Sequence, residues 1–262
     1  MKLVEVLDKP RINVSSKHRL KYITNSGSSD GFQKKWFCGD SYIKADYCGY
    51  QGLAEKLVYW LLTYTDIPKD QYVKYNVCEI WEDGNKVGNG CVSEDFKRGR
   101  KEYSFVKLLR QTATPLSDSY EEVREAVMSI TGIDPKDYID LNLYIDAITF
   151  NGDRHFRNMS ALLADDGTWS YSPIFDNGDA CLSNTAMYPM NESVESCLKR
   201  VYAKPFNTDF LKQIEFNKLI TIHYDGFVSS LDIKSDYGKR ALEVLMIGLD
   251  RTKGTVWTPY SA

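Results

Sequence analysis

The sequence predicts an α+β fold in two lobes, a β-rich N-terminal lobe over residues 1–96 and a mainly helical C-terminal lobe over 97–262. Three observations carry that expectation. The first third alternates short strand-like runs with one amphipathic stretch. A polar segment from about 93 to 101, including Glu94-Asp95-Phe96-Lys97-Arg98-Gly99-Arg100, divides the chain as a hinge would. Beyond it, helical spacing of apolar residues dominates.

Taken in order, residues 4–7 form a short apolar strand. Lys35-Trp36-Phe37 and Tyr42-Ile43-Lys44-Ala45 flank the turn Cys38-Gly39-Asp40-Ser41, the pattern of a hairpin. Residues 52–65 switch to helical spacing, with Leu53, Leu57, Trp60, Leu61 and Tyr64 on one face and Pro68 as the stop. Residues 72–81 and 86–93 are strands joined by Glu82-Asp83-Gly84-Asn85, and Gly88-Asn89-Gly90 reads as turn chemistry of that hairpin. Residues 119–130 begin a helix with glutamates in the first turn. Residues 135–150 open on proline and carry Ile139, Leu143, Ile145, Ala147 and Ile148, a mostly buried helix. A small hairpin over 160–163 and 169–171 follows, turned by Asp165-Asp166-Gly167. Two helices, 208–231 and 237–249, close the chain.

The composition excludes several classes. With 43% hydrophobic and 26% charged residues, the chain reads as an ordinary soluble globular protein. A net charge of −3 gives no basic footprint for nucleic acid. No apolar run is long enough to span a membrane, and Met1-Lys2-Leu3-Val4-Glu5-Val6 is too short and charged for a secretory signal. The six cysteines include no Cys-x-x-Cys pair and suit reduced thiols of a cytoplasmic protein, although export without a cleaved signal stays compatible.

The informative stretch is Phe150-Asn151-Gly152-Asp153-Arg154-His155-Phe156-Arg157-Asn158, between a buried helix and the small hairpin. Asp176 follows that hairpin in Phe175-Asp176-Asn177-Gly178. A hairpin between Asn158 and Asp176 returns its ends to one place, facing the loop that carries Asp153. Phosphoryl transfer from ATP needs such a set. Mg2+ takes few oxygen ligands from the protein, and one amide with one carboxylate suffices beside the phosphates. A further carboxylate accepts the proton of the attacking hydroxyl. Asp153 and Asn158 carry the kinase spacing Asp-x-x-x-x-Asn. The same residue types also cluster in ordinary turns, so the weight falls on the joint pattern rather than on that spacing alone. Asp153 is therefore the expected base, with Asn158 and Asp176 as magnesium ligands. Arg154 and Arg157 read as solvated side chains unless a triphosphate lies beside them, and Arg157 is then the one expected to neutralise charge. His155 is given no proton-transfer role.

A nucleotide grip is expected in the first lobe. Lys44 lies on a strand and Glu55 on the helix that follows, a spacing that permits the phosphate-binding lysine and its helical partner. The bland reading of both is two surface charges. Asn25-Ser26-Gly27-Ser28-Ser29-Asp30-Gly31 is the expected phosphate-covering loop, with Ser28, Ser29 and Gly31 near the phosphates; otherwise it is a flexible turn. Glu94 and Phe96, in Val92-Ser93-Glu94-Asp95-Phe96, are the expected backbone contacts to adenine.

These motifs together resemble the HipA-like serine/threonine kinases, in the compact CtkA-like form. Asp153-Arg154-His155-Phe156-Arg157-Asn158 is similar to the family's Asp-x-His-x-Lys-Asn, with Arg157 in place of lysine. Phe175-Asp176 resembles its metal site, and Ser28-Ser29-Asp30-Gly31-Phe32-Gln33-Lys34-Lys35 its Ser-Gly-Val-Gln-Pro-Lys phosphate loop, with Lys34 where proline is common. Asn177 stands where conventional kinases have phenylalanine. The resemblance covers roughly residues 23–180 in scattered motifs. It implies a bilobal protein-kinase-like fold, ATP, Mg2+ and transfer to serine or threonine of a protein substrate. It also implies autophosphorylation at Ser28 or Ser29, where a phosphate would repel ATP. The extra N-terminal subdomain of full-length HipA is absent, so a small antitoxin-like or regulatory partner is a weaker implication. Two other readings use the same residues: a small-molecule or lipid kinase, and a non-catalytic nucleotide-binding module.

Overall fold

The computed structural model describes residues 3–4, 9–20, 33–112, 119–214 and 219–260. The first lobe is a five-stranded sheet with one helix laid on it. Its elements are β2 (Arg11–Val14), β3 (Lys35–Cys38), β4 (Ser41–Ala45), α1 (Gln51–Leu62), β5 (Tyr75–Glu82) and β6 (Asn85–Glu94), while β1 (Leu3–Val4) pairs in parallel with Leu231–Asp232 outside this sheet. The sheet order is β2-β5-β6-β4-β3, antiparallel except for β2 beside β5. Trp36, Ile43, Cys78 and Ile80 bury one face of it, as the alternation of these strands requires.

Helix α1 lies against this sheet because glycine permits it. A Cβ on Gly52 would meet the Gly90 carbonyl carbon at 2.5 Å, and a Cβ on Gly90 would meet the Lys44 carbonyl oxygen at 2.0 Å. Gly88-Asn89-Gly90 is therefore strand, not turn: the turn is at Asp83-Gly84, and Gly90 pairs with Ala45 and Cys78 inside β6. The glycine that suggests a turn instead spares a clash with the Lys44 carbonyl of the neighbouring strand, and Gly52 lets α1 rest on the Gly90 backbone. Asp46 accepts a hydrogen bond from Gly52 N–H at 2.6 Å and fixes the helix start.

Residues 95–100 lead to the second lobe. It contains β7 (Lys101–Ser104), α2 (Phe105–Leu109), α3 (Tyr120–Thr131), α4 (Lys136–Thr149), β8 (Ser160–Leu163), β9 (Trp169–Tyr171), α5 (Val194–Leu198), β10 (Ile220–Ile222), α6 (Tyr224–Ser230), β11 (Leu231–Asp232), α7 (Asp236–Thr252) and β12 (Trp257–Pro259). The expected hairpin is present as β8 and β9, joined on its other edge by β7. The continuous helix expected over 208–231 is not formed. Ile220-Thr221-Ile222 instead pairs in parallel with Trp257–Pro259, and only the short α6 follows. β-Branched residues with a distant strand partner override the helical periodicity there. The strand β2 has no counterpart among the sequence-predicted elements, and 5–7 of the predicted strand 4–7 lie outside the described residues.

Helices α4 and α7 form the centre of the second lobe. Ile139, Leu143, Ile145 and Ile148 are fully buried with Val244, Leu245 and Leu249. Apolar residues of α1, including Leu57 and Leu61, belong to the same core, so the first lobe's helix is bolted to the second lobe. All six cysteines are unpaired. Among the described residues no helix is long and apolar enough to cross a membrane.

Candidate active site

Between the lobes lies a cavity of about 230 Å³ whose walls include Glu55, Asp153, Asn158, Asp176 and Asp179. Elements far apart in sequence supply them. Glu55 projects from α1, Asp153 and Asn158 from the turn between α4 and β8, and Asp176 and Asp179 from the segment after β9. Lys44 on β4 joins two of these walls. Its Nζ lies 2.8 Å from Asp176 Oδ1 and 3.3 Å from Glu55 Oε1. The reading of Lys44 and Glu55 as two surface charges is excluded, since their side chains are only 12% and 2% exposed.

The turn itself is built on Arg154, which is fully buried. It is not the solvated side chain its charge suggests. Its guanidinium forks onto Asp146 of α4, with Nε to Oδ2 and Nη2 to Oδ1 both at 2.9 Å. The remaining donors reach Asn158 O (3.2 Å), Phe175 O (3.0 Å) and Asn177 Oδ1 (2.7 Å). All five N–H groups are thus engaged, and one side chain ties the Asp153 turn to the Asp176 segment. Asn151 donates its amide to Asp146 Oδ1 at 2.9 Å, completing the support.

Asn177, at the position that departs from conventional kinases, has a clear task. Its backbone N–H donates to Glu55 Oε2 at 2.9 Å while its side chain receives Arg154. It therefore links α1 to the turn directly. Phe175 turns the other way and packs on Phe96, with ring centroids 5.1 Å apart, beside Val73, Tyr75 and Cys91. Asp176 is held between them with φ of 60°, a left-handed conformation that a non-glycine residue keeps only when its surroundings impose it.

Charge follows from this packing. Burial raises the Asp176 carboxyl, but Lys44, Lys35 and Arg154 outweigh it and hold the group well below the usual carboxylate range. Lys44 loses solvation too, and the carboxylate of Asp176 keeps it charged. Burial pushes Glu55 up, against the pull of Lys44. Asp179 is pushed up to about 6 by burial and by the charges of Asp153 and Asp176. Sequence reasoning misses Asp179; the available signal is a second carboxylate three positions after Asp176, in Asp176-Asn177-Gly178-Asp179.

The other expected residues divide between the cavity and places outside it. Asp153 faces the cavity, and its Oδ1 accepts from Lys204 at 3.3 Å. Arg157 is not among the residues that line the cavity. Among the described residues His155 finds no hydrogen-bond partner for either ring nitrogen, and burial holds it below its ordinary value. Glu94 and Phe96 line a larger cavity of about 1000 Å³, together with Asp95, Arg98 and Arg100 of the 95–100 connection. That cavity holds none of Lys44, Asp153, Asn158 or Asp176 and is set aside as the candidate site despite its size. The Phe96 carbonyl already accepts from Arg100 at 3.1 Å, and the Asp95 N–H donates to Asp40 O at 2.7 Å. Ser28, Ser29 and Gly31 lie outside the described residues.

A β-rich lobe carrying a lysine–glutamate pair, a helical lobe carrying the Asp153 turn, and a cleft between them make this a bilobal kinase-like fold. The chain is similar to the crystal structure of CtkA, a proinflammatory kinase of Helicobacter pylori, with a TM-score of 0.57 over 83% of this chain and 90% of that one, at 16% identity. Comparison of the sequence with family models and with curated proteins finds no match.

Proposed function

We propose that the protein is a kinase that uses ATP and Mg2+ to phosphorylate serine or threonine of a protein substrate. The observation that supports this best is the Lys44 ammonium bridging Glu55 and Asp176 at the wall of a cavity that also holds Asn158 and Asp153. In kinases this lysine grips the nucleotide phosphates, and its glutamate holds it in place.

The residues fit the implied cofactors. Asp176 uses Oδ1 for Lys44, and Asn158 uses its amide N–H for the Asp153 carbonyl at 3.3 Å. One carboxylate oxygen and one amide oxygen are left, both hard donors of the kind Mg2+ accepts. Magnesium supplies charge neutralisation at the phosphates when bound. The chain's own residues do the rest. Asp153 orients the acceptor hydroxyl and takes its proton, as the hydroxyl oxygen bonds to the γ-phosphorus. The bond from that phosphorus to the bridging oxygen breaks, and its electron pair leaves on ADP.

The test is transfer from labelled ATP to generic protein acceptors, with and without Mg2+, against a panel of small alcohols and lipids. Metal-dependent label on serine or threonine is expected. Label confined to a small acceptor, or none at all, overturns the reading. In the same reaction, phosphopeptide mapping is expected to find Ser28 or Ser29 modified; an unmodified loop in active enzyme removes the autophosphorylation part.

A further inference from the structure

Phosphoryl transfer spreads negative charge over the oxygens of the moving group, and catalysis rests on cations placed beside it. On the acceptor side of this cleft the turn itself offers none. Arg154 is fully buried with every N–H engaged. Arg157, like Lys204, is not among the residues that line the cavity, and among the described residues it makes no bond to Asp153. Lys44 is committed between Glu55 and Asp176, on the sheet side. Among the described residues, the cation paired with Asp153 is Lys204, which arrives from a different part of the second lobe.

The segment that delivers it is anchored. After α5 the chain runs across the Asp153 turn, with Val201 and Ala203 buried and the Ala203 N–H bonded to Thr208 O at 2.9 Å. It passes so close to Gly152 that a Cβ there would meet Tyr202 O at 3.0 Å and Val201 Cγ1 at 3.2 Å. The backbone is thus pinned one residue from Asp153, while the Lys204 side chain stays 53% exposed and free to exchange partners. Its Nζ is 3.3 Å from Asp153 Oδ1. As a surface ion pair alone this contact would contribute little. Its position gives it another use: a group within hydrogen-bond reach of the base is also near the phosphorus that the acceptor hydroxyl, held by that base, attacks.

We propose that Lys204 is a catalytic residue of the transfer, donating hydrogen bonds from its ammonium to the non-bridging oxygens of the phosphoryl group as it passes to the acceptor. This rests on the kinase reading above. Lys204 keeps its protons throughout; the acceptor's proton goes to Asp153, and the broken bond's electrons go to ADP.

The test compares wild type with Lys204→Met and Lys204→Arg in magnesium buffer. Two quantities are read: calorimetric affinity for ADP alone and for ADP with aluminium fluoride, which imitates the phosphoryl group in flight, and the single-turnover transfer rate. Lys204→Met is expected to bind ADP as wild type does, to bind the aluminium fluoride complex at least ~10-fold more weakly, and to transfer about 100-fold more slowly. Lys204→Arg should recover most of both losses. The exposed position makes misfolding an unattractive explanation, and a melting curve matching wild type removes it. If wild type transfers and binds the mimic, and Lys204→Met matches it in both, the inference is overturned alone. If wild type does neither, the kinase reading falls and takes this inference with it.

Discussion

Two ion pairs flank the same turn, and they differ in almost every physical respect. Asp146 and Arg154 are both 0% exposed, locked in a bidentate fork, with every guanidinium donor used. Asp153 and Lys204 are 33% and 53% exposed and joined by one contact of 3.3 Å. The first pair cannot change partners without leaving a charge buried in low dielectric, so it behaves as covalent scaffolding would. The second can release either member at little cost. Adjacent residues of one turn, Asp153 and Arg154, thus differ in kind: the arginine holds the turn in shape, and the aspartate stays partly exposed at the cavity, where the proposed reaction needs a base.

The sharpest way to break this division is to remove each member in turn. Asp153→Ala should lower phosphoryl transfer by about 10²–10⁴-fold, equivalent to roughly 3–5 kcal/mol of barrier. Its stability to denaturant should stay within about 0.5 kcal/mol of wild type, as for other half-exposed positions. Transfer near the wild-type rate would show that Asp153 is not the base. A large loss of stability instead would show that the two pairs are alike.

Arg154→Met should do the reverse. It strands Asp146 in the core and leaves three further acceptors, on Asn158, Phe175 and Asn177, without their donor. A loss of about 3–5 kcal/mol is expected in urea unfolding. Changing Asp146→Leu as well should restore only part of it, because those three acceptors stay unpaired. A variant within about 1 kcal/mol of wild type would mean that the fork is ornamental and the contrast between the pairs empty.

The asymmetry also explains what can be read from the sequence. Lys44, Glu55, Asn158 and Asp176 follow from spacing and local context, and the fold brings all four to one place. Spacing works there because the short hairpin of β8 and β9 returns the chain on itself, and its turn residues announce it. Arg154 reads as solvated because its partner Asp146 sits on the inner face of a helix, where a carboxylate breaks the apolar period without saying why. Lys204 and the β10–β12 pairing depend on contacts between distant segments, which periodicity does not record. Gly90 misleads for the opposite reason: its local signal is strong, but inside β6 the residue is glycine because a Cβ would strike the Lys44 carbonyl of the neighbouring strand.

Asp46 tests the contrast from outside the turn, because it is a partly buried carboxyl that no cation contacts among the described residues. It accepts from the Gly52 N–H at 2.6 Å, and that bond and the charge of Lys9 offset only part of its loss of water. Burial pushes it up to about 6 from an ordinary 3.8. The folded protein therefore favours the protonated form. That contribution is fully present below about pH 4 and is lost as pH rises through about 6, beyond which this group adds no further slope. The gap between the folded and the ordinary value sets a ceiling of about 3 kcal/mol, and partial access to water brings the expectation to roughly 1–2 kcal/mol. Asp46→Asn keeps an oxygen for the Gly52 N–H and has no charge to bury. It should be more stable than wild type at pH 7 by that amount and equal to it near pH 4, measured as unfolding midpoints across the range. Equal stability at both pH values would mean that water reaches Asp46 freely, and that a buried carboxylate in this fold does not need the kind of partner Asp146 has.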